Sequence, residues 1–117
     1  MYEIVYYWTE RGDDPVREFI SFLQAKTRQK IEQNILHLSS EGSFLKRPYA
    51  DKVAGPIYEL RIRMGSDQIR ILYAFIFRSQ ILLLHIFRKK TNAIPLRDIE
   101  LAEGRLKNFR ERYYEET

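Results

Sequence analysis

A chain of 117 residues suits one compact domain, on the usual size of about 100 to 200 residues per domain. With 44% hydrophobic and 14% aromatic residues it can form a core, and with no cysteine it has no disulfide framework, thiol nucleophile or thiolate metal site. The net charge of +4 favours an anionic partner, and no apolar run approaches the roughly 20 residues of a transmembrane helix.

Residues Tyr2 to Trp8, rich in aromatic and β-branched types, predict a first strand, stopped by the polar Arg11-Gly12-Asp13-Asp14-Pro15 segment. This beginning has neither a basic leader ahead of an apolar segment nor a small-residue cleavage site, so a cytoplasmic protein is expected. Asp14 followed by Pro15 signals a helix start, because the carboxylate can cap free N–H groups and proline suits the first helical position. Val16, Phe19, Ile20 and Leu23 then form one apolar stripe at i, i+3, i+4, i+7. A second helix is expected from about Lys26 to Ser39, with Ile31, Ile35 and Leu38 on one side. Ser40-Glu41-Gly42-Ser43 ends it, and the segment through Pro48 to Gly55-Pro56 reads as a loop.

Three strands are expected next, over Ile57 to Arg63, Gln68 to Phe77 and Gln80 to Arg88, with connections short enough for antiparallel hairpins. A final helix starts near Pro95, its Ile99, Ala102, Leu106, Phe109 and Tyr113 stepping by three and four. The order predicts a single α+β domain over residues 1–117: an antiparallel sheet with two N-terminal helices packed on one face, and a C-terminal helix.

The charge is concentrated. Residues 1–56 balance 8 basic against 8 acidic side chains, residues 57–90 carry 7 basic and 2 acidic, and residues 91–117 carry 5 and 6. The excess therefore belongs to the three-strand stretch, which marks an electrostatic footprint. Side chains alternate between faces in a strand. Tyr58, Leu60 and Ile62 therefore share one face, as do Ile69, Ile71, Tyr73, Phe75 and Phe77, while Glu59, Arg61, Arg63 and Arg70 project from the other. The third of these strands is apolar on both faces and is expected to be central, its end bringing Arg88, Lys89 and Lys90 towards the arginines. Leu72 and Ala74 share that side, so the surface is mixed, and the last helix or a protein partner would cover part of it. Guanidinium groups bind a phosphate bidentately and lysine acts as a point charge, so this side suits phosphates.

The two histidines, His37 and His85, lack metal-site spacing, and no Gly-rich phosphate loop, nucleophile elbow or paired-carboxylate spacing is present. His85, within an apolar run, reads as a satisfied core histidine, with a role as acid or base as the alternative. Cleavage of RNA by its own 2′-hydroxyl needs no metal, and arginines can stabilise the phosphorane while a lysine moves a proton. The residues alone leave this chemistry and a non-catalytic nucleic-acid-binding module equally open.

Tyr58-Glu59-Leu60-Arg61-Ile62-Arg63, Gln68-Ile69-Arg70-Ile71-Leu72-Tyr73 and His85-Ile86-Phe87-Arg88-Lys89-Lys90-Thr91, followed by Ile94-Pro95 and the Ile99 to Ala102 helix start, form an ordered set. In order and spacing it resembles the RelE/HigB-type toxins of bacterial type II toxin–antitoxin systems, most closely the phage-derived HigB-like branch. The likeness covers nearly the whole chain, including the Pro15-Val16-Arg17-Glu18-Phe19 helix start.

The resemblance implies a small α+β RelE-like fold and a ribosome-dependent mRNA endonuclease that works without metal or other cofactor, inhibits translation and arrests growth. Its implied partners are the ribosome, mRNA and a co-encoded antitoxin, expected to be of the helix-turn-helix type. Carried over by motif, Arg70 is assigned to phosphate and transition-state charge, Arg61 to phosphate positioning, and Lys89 or Lys90 to charge stabilisation or proton transfer. Arg63 and Arg88 are assigned to RNA binding. The sequence departs from the family pattern at Glu59, where some RelE members have lysine, and in lacking an obvious tyrosine after Lys89-Lys90. The related ParE branch shares the fold and targets DNA gyrase, so a gyrase poison stays as an alternative. On this view Arg70→Ala relieves growth arrest and leaves the protein folded.

Overall fold

The structure, a computed structural model, describes residues 1–113. Its elements in chain order are β1 (Glu3–Tyr6), α1 (Pro15–Ser21), α2 (Ala25–Glu41), a 3-10 turn (Gly42–Phe44), β2 (Ala50–Ala54), β3 (Ile57–Met64), β4 (Asp67–Ile76), β5 (Gln80–Arg88) and α3 (Leu96–Tyr113). α1 starts as its sequence signals: the Asp14 carboxylate accepts the Arg17 backbone N–H at 3.3 Å, and Pro15 occupies the first turn. α2 stops at Gly42, whose φ of +55° favours glycine, and a Cβ there would lie 1.9 Å from Tyr2 Cε1. The end of α2 thus receives the start of β1, where the Tyr2 N–H donates to the Ser39 carbonyl at 2.8 Å.

The five strands form one sheet in the order β1-β5-β4-β3-β2. From β2 to β5 the pairings are antiparallel, but β1 runs parallel to β5, with Glu3 opposite Gln80 and Tyr6 opposite Leu83. The sheet is therefore mixed, not antiparallel as expected. Two helices separate β1 from the hairpins, so it is free to enter the sheet in either direction. β5 is an interior strand as expected, paired to β1 on one side and to β4 on the other. The expected loop before Gly55 contains β2, an edge strand paired to β3 from Ala50 opposite Leu60.

Two cores lie on opposite faces of the sheet. On one, Val16, Ile20, Ile31, Ile35 and Leu38 of α1 and α2 pack on Leu60, Ile62, Ile69, Ile71, Tyr73, Ile81 and Leu83. On the other, Ala102, Leu106 and Phe109 of α3 pack on Leu72, Ala74, Ile76, Leu82, Leu84 and Phe87. α3 therefore makes a third layer and hides the apolar part of the mixed face. The sheet end carrying Arg61, Arg63 and Lys89 lies outside that core. Among the described residues no helix is long and apolar enough to cross a membrane.

Candidate nucleic-acid interface

Register brings the cationic residues together. Arg61 of β3 stands directly opposite Arg70 of β4, and Arg70 opposite Phe87 of β5, with neighbouring strands about 4.8 Å apart. Two guanidinium groups so placed repel each other. The residue that makes the pairing tolerable is Glu59, two positions before Arg61 on the same face. Its Oε1 accepts Arg70 Nε at 3.0 Å, and its Oε2 accepts Arg61 Nη2 at 3.1 Å and Nε at 3.3 Å.

This network changes the expected site. Arg70 does not face solvent: it is 7% exposed and Glu59 6%. Its remaining donors also stay within the protein, Nη1 on the Ile69 carbonyl and Nη2 on Gln68 Oε1, each at 3.2 Å. Burial pulls the Arg70 guanidinium below its usual pKa, Glu59 opposes that shift, and Arg61 adds to it. Arg70 is thus a brace between strands, and Arg70→Ala would leave Glu59 buried beside one partially solvated arginine. The substitution is therefore expected to cost stability as well as activity, by about 3–5 kcal/mol.

Arg61 is half-buried and also reaches Asp51 Oδ2 of β2 at 3.4 Å. The Asp51 carboxyl is held below the usual carboxylate range, chiefly by its hydrogen bond from Arg47 and further by the Lys52 backbone N–H and the Arg61 charge. Arg63 is exposed and makes no ion pair among the described residues. At the end of β5 the Lys89 N–H donates to the Gln68 carbonyl at 2.7 Å, extending the ladder by one bond. Alternation then places Lys89 on the same face as Phe87 and Arg70.

Arg88 does not converge with them. It stands opposite Ile69, on the face covered by α1 and α2, with its guanidinium carbon 5.9 Å from the centre of the Phe19 ring and its Nε 3.8 Å from Asp67. Lys90 lies beyond the strand, exposed. The structure therefore gathers Arg61, Arg63 and Lys89 at one sheet end, sets Arg70 beneath them and turns Arg88 away.

Residues 18–107 match the family described as phage derived protein Gp49-like (DUF891). The chain belongs to this family. It is a phage-derived family associated with toxin-like proteins of the RelE/HigB type. Comparison with curated proteins gives no match. The matched region of this Gp49-like chain runs from α1 into α3 and contains the whole basic sheet end; β1 precedes it.

Two further features of the Gp49-like chain bear on its chemistry. His85 of β5 stacks on Phe87, with ring centres 5.2 Å apart, and its Nε2 lies 2.7 Å from Asp98 Oδ1 in the first turn of α3. Burial lowers the His85 pKa, Asp98 opposes that shift and Arg105 adds to it. At neutral pH the neutral ring donates Nε2–H to the carboxylate, and the pair fastens the start of α3 to the sheet. That agrees with the core-histidine reading.

The second is a cleft of about 360 Å³ that wraps the edge of β3, lined by Lys30 and Asn34 of α2, by Pro48 and Tyr49, and by Arg61, Arg63 and Arg70. Sequence reasoning did not find Tyr49, Lys30 or Asn34. The available signal was the polar stripe of Lys30, Asn34 and His37 at i, i+4, i+7 on α2. Nothing in the sequence tied Tyr49 to it. Among the described residues no group of three or more His, Asp or Glu side chains is placed to hold a metal ion.

Proposed function

We propose that this protein is the toxin of a type II toxin–antitoxin pair, a ribosome-dependent mRNA endonuclease that inhibits translation. The observation that carries this reading is the convergence of Arg61, Arg63 and Lys89 at the uncovered end of the sheet, in a family associated with RelE/HigB-type toxins. In the reaction the RNA 2′-hydroxyl gives its proton to water, its oxygen bonds to the adjacent phosphorus, the bond to O5′ breaks and O5′ takes up a proton, leaving a 2′,3′-cyclic phosphate and a 5′-hydroxyl. Arg61 and Arg63 hold the phosphate and offset charge on the phosphorane, and Lys89 or Lys90 stabilises charge or transfers the proton. Arg70 acts through Glu59, which fixes the direction of the Arg61 fork. A chain this small leaves alignment of the mRNA to the ribosome, and a co-encoded helix-turn-helix antitoxin restrains it.

Induced expression without antitoxin is expected to stop protein synthesis and produce cleaved mRNA. Combined Arg61→Gln, Arg63→Gln and Lys89→Gln substitutions, with folding checked by circular dichroism, should abolish both effects. Undiminished arrest in that triple variant would sink the site assignment, and a DNA-damage response with intact mRNA would favour the gyrase target instead.

A further inference from the structure

We infer that the cleft around the edge of β3 is a nucleotide subsite, in which the Tyr49 ring stacks on one base of a single-stranded RNA and Arg63 and Lys30 hold its phosphate. This deepens the RNA reading of the basic sheet end and rests on it.

The cleft exists because β2 is shorter than β3. Pairing between them stops at Ala50 opposite Leu60, and the Arg61 N–H makes a last bond to the Tyr49 carbonyl at 2.8 Å. In an antiparallel ladder every second residue points its backbone groups to the same side. The Arg63 N–H therefore also points outward, past the end of β2, into open space. Asn34 caps the Arg61 carbonyl from the α2 side, with Nδ2 at 3.5 Å. The edge of β3 thus offers a backbone donor and an amide between two cationic walls.

The wall composition selects the ligand. Lys30, Arg61, Arg63 and Arg70 all line the cleft and no carboxylate does. Of these, Lys30 and Arg63 are exposed and make no ion pair among the described residues, so their charges are available to an anion. Tyr49 supplies the flat surface: it is 46% exposed, and its ring is held in a T-shaped contact with the His37 ring, with centres 4.9 Å apart and planes at 74°. Its backbone is pinned by bonds to Lys46 and Arg61, so little ordering is needed when a base stacks on it. A fixed aromatic face beside a cationic track is how single-stranded nucleic acid is bound without base-edge readout. The volume of about 360 Å³ lies in the range of small-ligand clefts, about 300–1,000 Å³. A duplex, with its bases stacked inside, could not present one to Tyr49.

The test compares a hexameric oligoadenylate with a base-free ribose-phosphate hexamer of equal charge, by fluorescence anisotropy on the purified full-length protein. The wild type should prefer the base-bearing oligomer about tenfold, and Tyr49→Leu should lose that preference. Arg63→Gln and Lys30→Gln should weaken both oligomers alike, each lowering the slope of log affinity against log salt by about 0.7. A Tyr49→Leu protein that keeps the preference, a wild type with none, or tighter binding to duplex DNA of equal length would each overturn the subsite. Translation arrest in cells separates the two levels. Arrest by the wild type together with an unchanged preference in Tyr49→Leu removes the subsite alone, while base preference without arrest leaves the subsite standing and removes the toxin reading.

Discussion

Replacing Glu59 by glutamine tests the buried network directly. Glu59 receives three hydrogen bonds from two arginines and is 6% exposed. Its amide counterpart keeps the shape and one acceptor oxygen but removes the charge that Arg70 has within reach. Breaking a buried ion pair from one side costs about 3–5 kcal/mol, and the retained acceptor places this case near 3. Arg61 adds little, since it keeps Asp51 and has partial access to water. For 117 residues, with unfolding entropy of about 2.1 cal/mol/K per residue, 3 kcal/mol corresponds to a fall in Tm of about 12 °C.

Urea unfolding followed by circular dichroism measures the loss. The companion variant, Glu59→Leu with Arg70→Met, removes both charges and fills the space with apolar atoms. It should recover at least about 2 kcal/mol relative to Glu59→Gln, because desolvated charges contribute little net stability when both partners are present. A single substitution costing less than about 1 kcal/mol, or a double variant no better than the sum of its parts, would refute the account of Arg70 as a brace. The outcome also governs cell assays, since loss of arrest in an Arg70 variant has meaning only beside a measured stability.

Three further outcomes are expected. Gly42→Ala places a methyl group 1.9 Å from the Tyr2 ring at a left-handed φ, so it should cost at least about 2 kcal/mol in urea unfolding, and adding Tyr2→Ala should restore the part due to the clash. Because burial lowers the His85 pKa in the fold, the unfolded chain binds a proton first as pH falls. Stability contributed by the neutral ring is full above about pH 6.5 and is lost below it, by at most about 1.4 kcal/mol per pH unit, until the folded ring itself protonates. His85→Gln should flatten the change in urea midpoint between pH 7.5 and 5.5; an unchanged slope would count against it. Phe77, at φ +50° and 51% exposed in the turn between β4 and β5, should give a more stable protein as Phe77→Asn, by about 1 kcal/mol, whereas a lower midpoint would show that its side-chain contact outweighs the strain.

What was legible in the sequence follows the range of the interactions. The α1 cap, the helical stripes and the three hairpin strands depend on neighbours within a few residues, and local patterns carried them. β2 was missed because Ala50-Asp51-Lys52-Val53-Ala54 has one β-branched residue and no clear alternation; its pairing comes from β3. The parallel entry of β1 depends on a partner 77 residues away. Strand parity correctly put Glu59, Arg61 and Arg70 on one face, and the lone acid among those arginines was a usable sign of an ion network. Its burial was not readable, because it depends on the register that sets Arg70 of β4 against Glu59 and Arg61 of β3. Arg88 was grouped with Lys89 and Lys90 by their common place at the strand end, whereas neighbours along a strand point to opposite faces, and the register places Arg88 opposite Ile69.

The parallel pairing of β1 has a consequence for how the molecule comes into being. β1 must wait for β5: Glu3 meets Gln80 and Tyr6 meets Leu83, and α3, which closes the second core, is made later still. Long-range pairing of this kind is slow and comes late in folding. The basic sheet end, which needs β3, β4 and the end of β5 side by side, therefore cannot be assembled on a nascent chain until β5 has left the ribosome. For a molecule that attacks translating ribosomes, this order of assembly keeps the site incomplete while β1 to β4 are being made.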